Sequence, residues 1–339
     1  MDIEIDGGVG EGGGQIVRTA VGMSCALGRS VSVSNIRKGR KKPGLMAQHL
    51  TGIKLAAEMC DAEVSGLEIG STEIEFSPRN NIGGSFEMDI GTAGSVSLVL
   101  QVCLIPAAMA KGRTELLIRG GTDVPWSPPI SYLDLVIAPM LQMMGVGIEI
   151  SVAQRGFYPA GGGEVRVAVS PSGGLAGLDL LSRGNLVGID GLASCRNLPD
   201  HVATRAIDSA LKGLPGLARP KISTDCGKGP STGMSLVLAA RFEKTILGSS
   251  GLGEKGLPAE RVGEIASGGL REEIDSGATL DEHATDQMIP FMFLADGSSR
   301  FMTAELTMHA RTNLEVAGRF MARKVGVSEE KGISLVSIA

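Results

Sequence analysis

The chain has 339 residues, 43% of them hydrophobic and 20% charged, so a folded globular protein is expected and long disorder is not. A net charge of −5 and an aromatic content of 3%, with one Trp and two Tyr, argue against a protein that coats nucleic acid by bulk charge or base stacking. Glycine is abundant, at 49 residues, yet follows no three-residue period, which excludes collagen and points to turns and close backbone approaches.

Taken in chain order, the elements repeat. Asp2–Asp6 alternates polar and apolar residues as a half-buried strand does. A glycine-rich turn leads to a helix over Gln15–Leu27, a strand at Val31–Ile36, a helix over Leu45–Met59 and two short strands, Glu63–Leu67 and Glu73–Phe76. The same β-α-β-α-β-β order returns as strand Phe86–Ile90, helix Ser95–Ala110, strand Glu115–Arg119, helix Ile130–Met144 and strands Gly147–Val152 and Glu164–Val169. Two copies of one unit, of about 80 residues each, predict a repeat architecture.

A third copy is split. Its strand falls at Gly177–Leu181, while the matching helices and strands come only at Glu282–Ile338. Between them lie strand Leu186–Ser194, helix His201–Leu211, strands Lys221–Asp225 and Met234–Phe242 and helix Ala259–Asp275. The expected fold is therefore α+β: repeats over about 1–79, 80–170 and 171–183 plus 277–339, with a small α+β domain, 184–276, inserted in the third. Five scattered cysteines, without a C-x-x-C pair, read as buried thiols of a reducing compartment. No signal peptide opens the chain and no apolar run reaches the roughly 18 residues of a membrane span, so a cytoplasmic protein without membrane contact is expected.

Four histidines narrow the search for chemistry. His49 lies within an apolar-periodic helix, and His201 and His283 stand near helix starts. His309 follows the apolar strand Phe301–Leu306 and precedes a helix, and a helix N-terminus lowers an imidazole pKa and offers free N–H groups to an anion. Gly8–Gly13 satisfies G-x-G-x-x-G. However, its strand alternates, and no acidic residue between Gly12 and Ala57 could hold a ribose, so a phosphate-cradling turn carrying Glu11 is the better reading. Walker A and K-x-D-G motifs are absent. The segment Arg37-Lys38-Gly39-Arg40-Lys41-Lys42-Pro43-Gly44 is either a solvated loop or, at its strand-to-helix corner, a polyphosphate site. Further glycine clusters, Gly91–Ser95, Gly120–Asp123 and Arg155–Glu164, are either turns or phosphate contacts.

Gly10–Gln15 with Arg18, Arg37–Arg40 through Pro43-Gly44-Leu45, Gln48-His49-Leu50, Arg155–Glu164 and Thr307–Asn313 together resemble the RNA 3′-terminal phosphate cyclases, in their catalytic branch. The resemblance covers essentially the whole chain and implies three β-α-β-α-β-β units with an insertion, a fold shared with the enolpyruvyl transferases. It implies a reaction in which His309 takes AMP from ATP, passes it to an RNA 3′-phosphate, and the 2′-hydroxyl displaces it to leave a 2′,3′-cyclic phosphate. By the family pattern Glu11 helps hold Mg2+ or Mn2+, and Arg18, Arg37, Arg40 and Gln48 line the phosphate path. Gln101, Pro128, His283, Ala284, Thr285, Asp286 and Gln287 match the nucleotide pocket, with His283 where some relatives carry Tyr. The implied partners are ATP and an RNA ending in 3′-phosphate, acted on by a monomer or homodimer. A ribosome-assembly relative without the nucleophile is disfavoured by Glu11, Arg37, Arg40 and His309, and an enolpyruvyl transferase would need no covalent histidine.

Overall fold

The computed structural model describes residues 3–10, 12–171, 173–217, 220–330 and 332–339. Strand β1 (Ile3–Asp6) buries Ile3 and Ile5 and exposes Glu4 and Asp6, as its alternation requires. It is followed by α1 (Gly14–Leu27), β2 (Val31–Ser34), α2 (Ala47–Cys60), β3 (Glu63–Ser65) and β4 (Ile74–Ser77). β2 pairs parallel with β1 and antiparallel with β4, and β3 adds to β4, giving the order β1-β2-β4-β3.

The second unit comprises β5 (Gly84–Asp89), α3 (Val96–Met109) and β6 (Thr114–Gly120), then α4 (Ile130–Tyr132), which runs through a π-helical stretch, Leu133–Ile137, into α5 (Ala138–Met143). Strands β7 (Gly147–Gln154) and β8 (Gly163–Ser170) complete it, in the order β5-β6-β8-β7. α3 is apolar nearly all round and almost wholly buried, as a helix at the centre of a multi-layered core must be.

After β9 (Asp179–Leu180) the chain leaves the pattern. β10 (Leu186–Arg196), α6 (His201–Gly213), β11 (Lys221–Gly227), β12 (Gly233–Phe242), β13 (Ile246–Leu252) and α7 (Ala259–Ser276) build a separate sheet, β11-β10-β12-β13, with its own apolar cluster. The chain then returns with α8 (Glu282–Leu294), β14 (Ser299–Thr303), α9 (Met308–Phe320), β15 (Val325–Glu330) and β16 (Ile333–Ile338). β14 pairs parallel with β9, and the order β9-β14-β16-β15 repeats the wiring of the first two sheets. The α+β fold of three like units interrupted in the third is thus the observed one.

Two sequence expectations need correction. β13 was not foreseen: Ile246–Leu252 carries two glycines and two serines, a poor strand former in isolation, and is a strand because β12 pairs with it along its length. The cysteines are not all thiols either. Cys195 and Cys226 face each other on the parallel strands β10 and β11, 4.5 Å apart at Cα, and form a disulfide, whereas Cys25, Cys60 and Cys103 are free and buried. No helix among the described residues is long and apolar enough to cross a membrane.

Candidate active site

Three helix N-termini converge. α1 begins at Gly14, where a Cβ would collide with the His49 imidazole; glycine is what lets the helix start against α2. His49 is buried, its Nδ1 accepts the Met46 N–H at 3.1 Å, and burial with the Arg18 and Arg37 charges pushes its pKa down to about 3. It is a neutral structural histidine.

α9 is capped by Thr307, whose hydroxyl oxygen accepts the Ala310 N–H at 2.9 Å, so His309 is the second residue of the helix. The His309 carbonyl accepts from Gln15 Nε2 at 3.4 Å, tying α9 to α1. Thr19 donates to Asn313 Oδ1 at 2.7 Å, and Asn313 Nδ2 donates to the Asp286 carbonyl at 2.6 Å, which brings in α8. α8 is capped by Asp281, a buried carboxyl that accepts from His283 N, Ala284 N, Gly248 N and the Tyr132 hydroxyl. The Gly248 contact draws β13 against the same helix end.

Between these elements lies a cavity of about 480 Å³, of the size that takes a small ligand. Of the expected site residues, Arg18, Gln101, Pro128, His283, Asp286, Gln287 and His309 all line it. Burial, reinforced by the charges of Arg18, Arg40 and His283, holds the His309 pKa below the ordinary imidazole value. Arg18 is itself desolvated, its pKa drawn down to about 10, and its buried Nε has no hydrogen-bond partner among the described residues. Asp286 is pushed up to about 7 by burial, against the opposing pull of the Thr307 hydroxyl bond. The His309 imidazole, its pKa held down, thus stands at a helix start in the same cavity as Arg18, whose buried Nε has no hydrogen-bond partner among the described residues.

The other expected residues are placed elsewhere. Ala284 and Thr285 are fully buried behind the cavity wall. Gln48 Oε1 accepts the Ser95 N–H at 3.3 Å and does not line the cavity. Arg37 folds back on its own loop, donating to the Lys42 and Gly44 carbonyls at 2.8 Å each. Arg40 is exposed, near enough for its charge to act on His309. Glu11 lies outside the described residues. Among the described residues no group of three or more His, Cys, Asp or Glu side chains is placed to hold a metal ion.

The glycine clusters of the second unit pack on one another: Gly121 N donates to Gly94 O at 2.8 Å and Thr122 N to Gly156 O at 2.8 Å. Arg155, 2% exposed, is spent on Asp123 at 3.3 Å and Asp225 at 2.9 Å, so it joins the second sheet to β11 and does not reach the cavity. Sequence reasoning missed Thr19, Trp126 and Ser250 on the cavity wall. Trp126 had one available signal, being the sole Trp, set between Pro125 and Pro128. Ser250 had none, since it lies on the unforeseen β13.

The sequence model of the RNA 3′-terminal phosphate cyclase family matches residues 9–327. The RNA 3′-terminal phosphate cyclase of Archaeoglobus fulgidus is 45% identical over 324 residues, covering 95% of this chain and 97% of that protein. The proteins of the same name from Hyperthermus butylicus, 46% identical over 93% of this chain and 90% of theirs, and Nitrosospira multiformis, 44% identical over 96% and 94%, are similarly related. With the family's sequence model running through all three units and such identity over nearly the full length, the chain belongs to the RNA 3′-terminal phosphate cyclase family.

Proposed function

We propose that this protein is an ATP-dependent RNA 3′-terminal phosphate cyclase working through a covalent histidyl-AMP. The observation that carries the reading is the neutral imidazole of His309 at the N-terminus of α9, on the wall of the cavity and beside Arg18. An imidazole nitrogen of His309 attacks the α-phosphorus of ATP; an N–P bond forms, the bond to the bridging oxygen breaks, and pyrophosphate leaves. An oxygen of the RNA 3′-phosphate then attacks the same phosphorus and expels the imidazole. The vicinal 2′-hydroxyl loses its proton, attacks the activated 3′-phosphorus and displaces AMP, leaving the cyclic end.

Arg18 and Arg40 supply positive charge to the phosphates, and Arg37 shapes the corner that presents Arg40. Gln101, Pro128, His283, Asp286 and Gln287 hold the nucleoside, while Ala284 and Thr285 pack α8 in place and Gln48 anchors the start of α3. A divalent ion, Mg2+ or Mn2+, would supply charge to offset the phosphates, and Glu11 is the carboxylate that would help hold it. Residues 1–183 with 277–339 carry the chemistry; residues 184–276 are an inserted domain that lends β13 to one wall. The partner is RNA with a 3′-phosphate end, met in the cytoplasm by a monomer or homodimer.

Incubation with ATP and magnesium should add one AMP to the intact mass, in an acid-labile and alkali-stable linkage, and His309→Ala should abolish it. RNA ending in 3′-phosphate should become cyclic, a 3′-hydroxyl end should be inert, and a 3′-phosphate end lacking the 2′-hydroxyl should stop as the adenylylated species. Labelling that survives in His309→Ala refutes the assignment.

A further inference from the structure

The nucleotide contacts above leave several residues of the cavity wall unused, Trp126 among them. Trp126 is the only tryptophan of the chain and is 95% exposed, although it stands on the lip of the cavity two residues before Pro128. Its φ is +61°, a region that bulky residues rarely enter and that a turn with proline at the preceding position ordinarily gives to glycine. The turn is not loose. Ser127 Oγ donates to the Val124 carbonyl at 3.1 Å, Ile130 N donates to the Thr122 carbonyl at 2.9 Å, and Val124 and Ile130 are buried on either side. A rigid loop thus holds the largest apolar side chain in water, at a backbone cost, beside the one cavity where His309 lies. Packing explains none of this, and strain retained beside a reactive site marks function.

We infer that Trp126 is a stacking platform for the terminal nucleobase of the RNA acceptor. The inference rests on the cyclase reading and adds the acceptor subsite to it. The cavity, about 480 Å³, is of a size for one nucleotide, whose adenine is assigned to Pro128 and His283; a polymer that brings its 3′-phosphate to His309 would then place its last base at the mouth, where Trp126 stands. At 95% exposure both indole faces are open there. A π-face accepts any base, which suits an enzyme that must recognise an end and not a sequence. With 3% aromatics, the chain offers few other stacking faces to a base.

Because Trp126 is the sole tryptophan, tryptophan emission excited selectively over the two tyrosines reports on it alone. A 3′-phosphorylated hexaribonucleotide should quench the emission saturably, whereas the same oligonucleotide with an abasic terminal sugar, or ATP alone, should quench it little. Trp126→Ala should raise KM for the oligonucleotide about 5- to 100-fold with kcat changed much less, the range expected for one lost base–aromatic stack. Trp126→Phe should recover most of that loss. Quenching by ATP and not by RNA, equal quenching by the abasic end, or an unchanged RNA KM in Trp126→Ala overturns the platform. Wild-type protein that takes no AMP from ATP overturns the cyclase reading instead, so the two failures are told apart.

Discussion

Thr307 donates its hydroxyl hydrogen to Asp286 Oδ1 at 2.7 Å and, with the same oxygen, accepts the Ala310 N–H at 2.9 Å. The residue that starts α9, and so sets His309, is thereby fixed to a carboxyl of α8. Donor and acceptor capacity of one hydroxyl are both used, and the position of the proposed nucleophile depends on a carboxyl whose pKa is raised to about 7.

That coupling gives the first prediction. Asp286 is raised to about 7 in the folded protein, above its ordinary value of about 3.9. The native state therefore binds this proton more tightly than the unfolded chain. Its contribution to stability is full below about pH 4 and is lost as pH rises through about 7. Asp286→Asn keeps an acceptor for Thr307 and cannot titrate, so urea midpoints should fall less between pH 5 and pH 8 than in the wild type. At pH 8 the variant should be the more stable protein while adenylylating more slowly, having lost the charge that faces Arg18. A wild-type minus variant difference that does not move with pH would refute it.

His309 yields the second. Its pKa is depressed first by burial and then by Arg18, Arg40 and His283, and only the neutral ring is a nucleophile. Single-turnover AMP transfer should rise with pH along a limb centred below the ordinary imidazole value of about 6.5, then level off. Arg40→Gln removes a cation that disfavours imidazolium, so its limb should move to higher pH as well as its plateau falling. Rapid-quench labelling across pH 4.5–8 checks both, and coincident limbs would show that Arg40 does not act on the ring's charge.

Much of the fold was legible because it repeats. Alternation in Ile3–Asp6 and helical spacing through α1 and α2 are local signals, and a second copy of the same order made them credible. His309 was legible too, since a strand-to-helix junction can be read from its flanks. The remainder depends on partners distant in sequence. β13 exists because of β12, and the Cys195–Cys226 pair depends on the register of β10 with β11 across 31 residues. Within α8, His283, Asp286, Gln287 and Pro290 share one face and line the cavity, while Ala284 and Thr285 point into the core, a division that a motif match cannot make but helical periodicity can.

The disulfide is the third testable feature. In the oxidised protein, denaturation and alkylation without reductant should modify three cysteines, Cys25, Cys60 and Cys103, and five after reduction. Closing a loop across 31 residues should contribute about 3–4 kcal/mol if chain entropy dominates. Reduction, or Cys226→Ser, should therefore lower the unfolding midpoint of the β10–β13 sheet, and tandem mass spectrometry of the unreduced digest should find the two peptides linked. Five alkylated cysteines without reductant would refute the bridge.

The fourth prediction concerns Arg155, whose two ion pairs span the boundary between the second sheet and β11. Nη1 meets Asp123, which is fully buried, at 3.3 Å, and Nε meets Asp225, which is partly exposed, at 2.9 Å. Asp123 also accepts from Ser235 at 2.7 Å and Thr122 at 2.6 Å, so its charge is well hydrogen-bonded but is neutralised only by Arg155 among the described residues. Arg155→Leu should cost about 3–5 kcal/mol, because it leaves that carboxylate buried and unpaired. Arg155→Lys should recover only part, since one ammonium cannot repeat a fork directed at two carboxylates on different sheets. If the cost arises from the stranded charge, Asp123→Asn should be milder in the Arg155→Leu background than in the wild type, and the double variant should lose less than the two singles together. Urea unfolding of the four proteins measures the coupling. Strict additivity would mean that Arg155 acts through packing alone, and that Asp225 with Arg196 suffices to hold β11 in place.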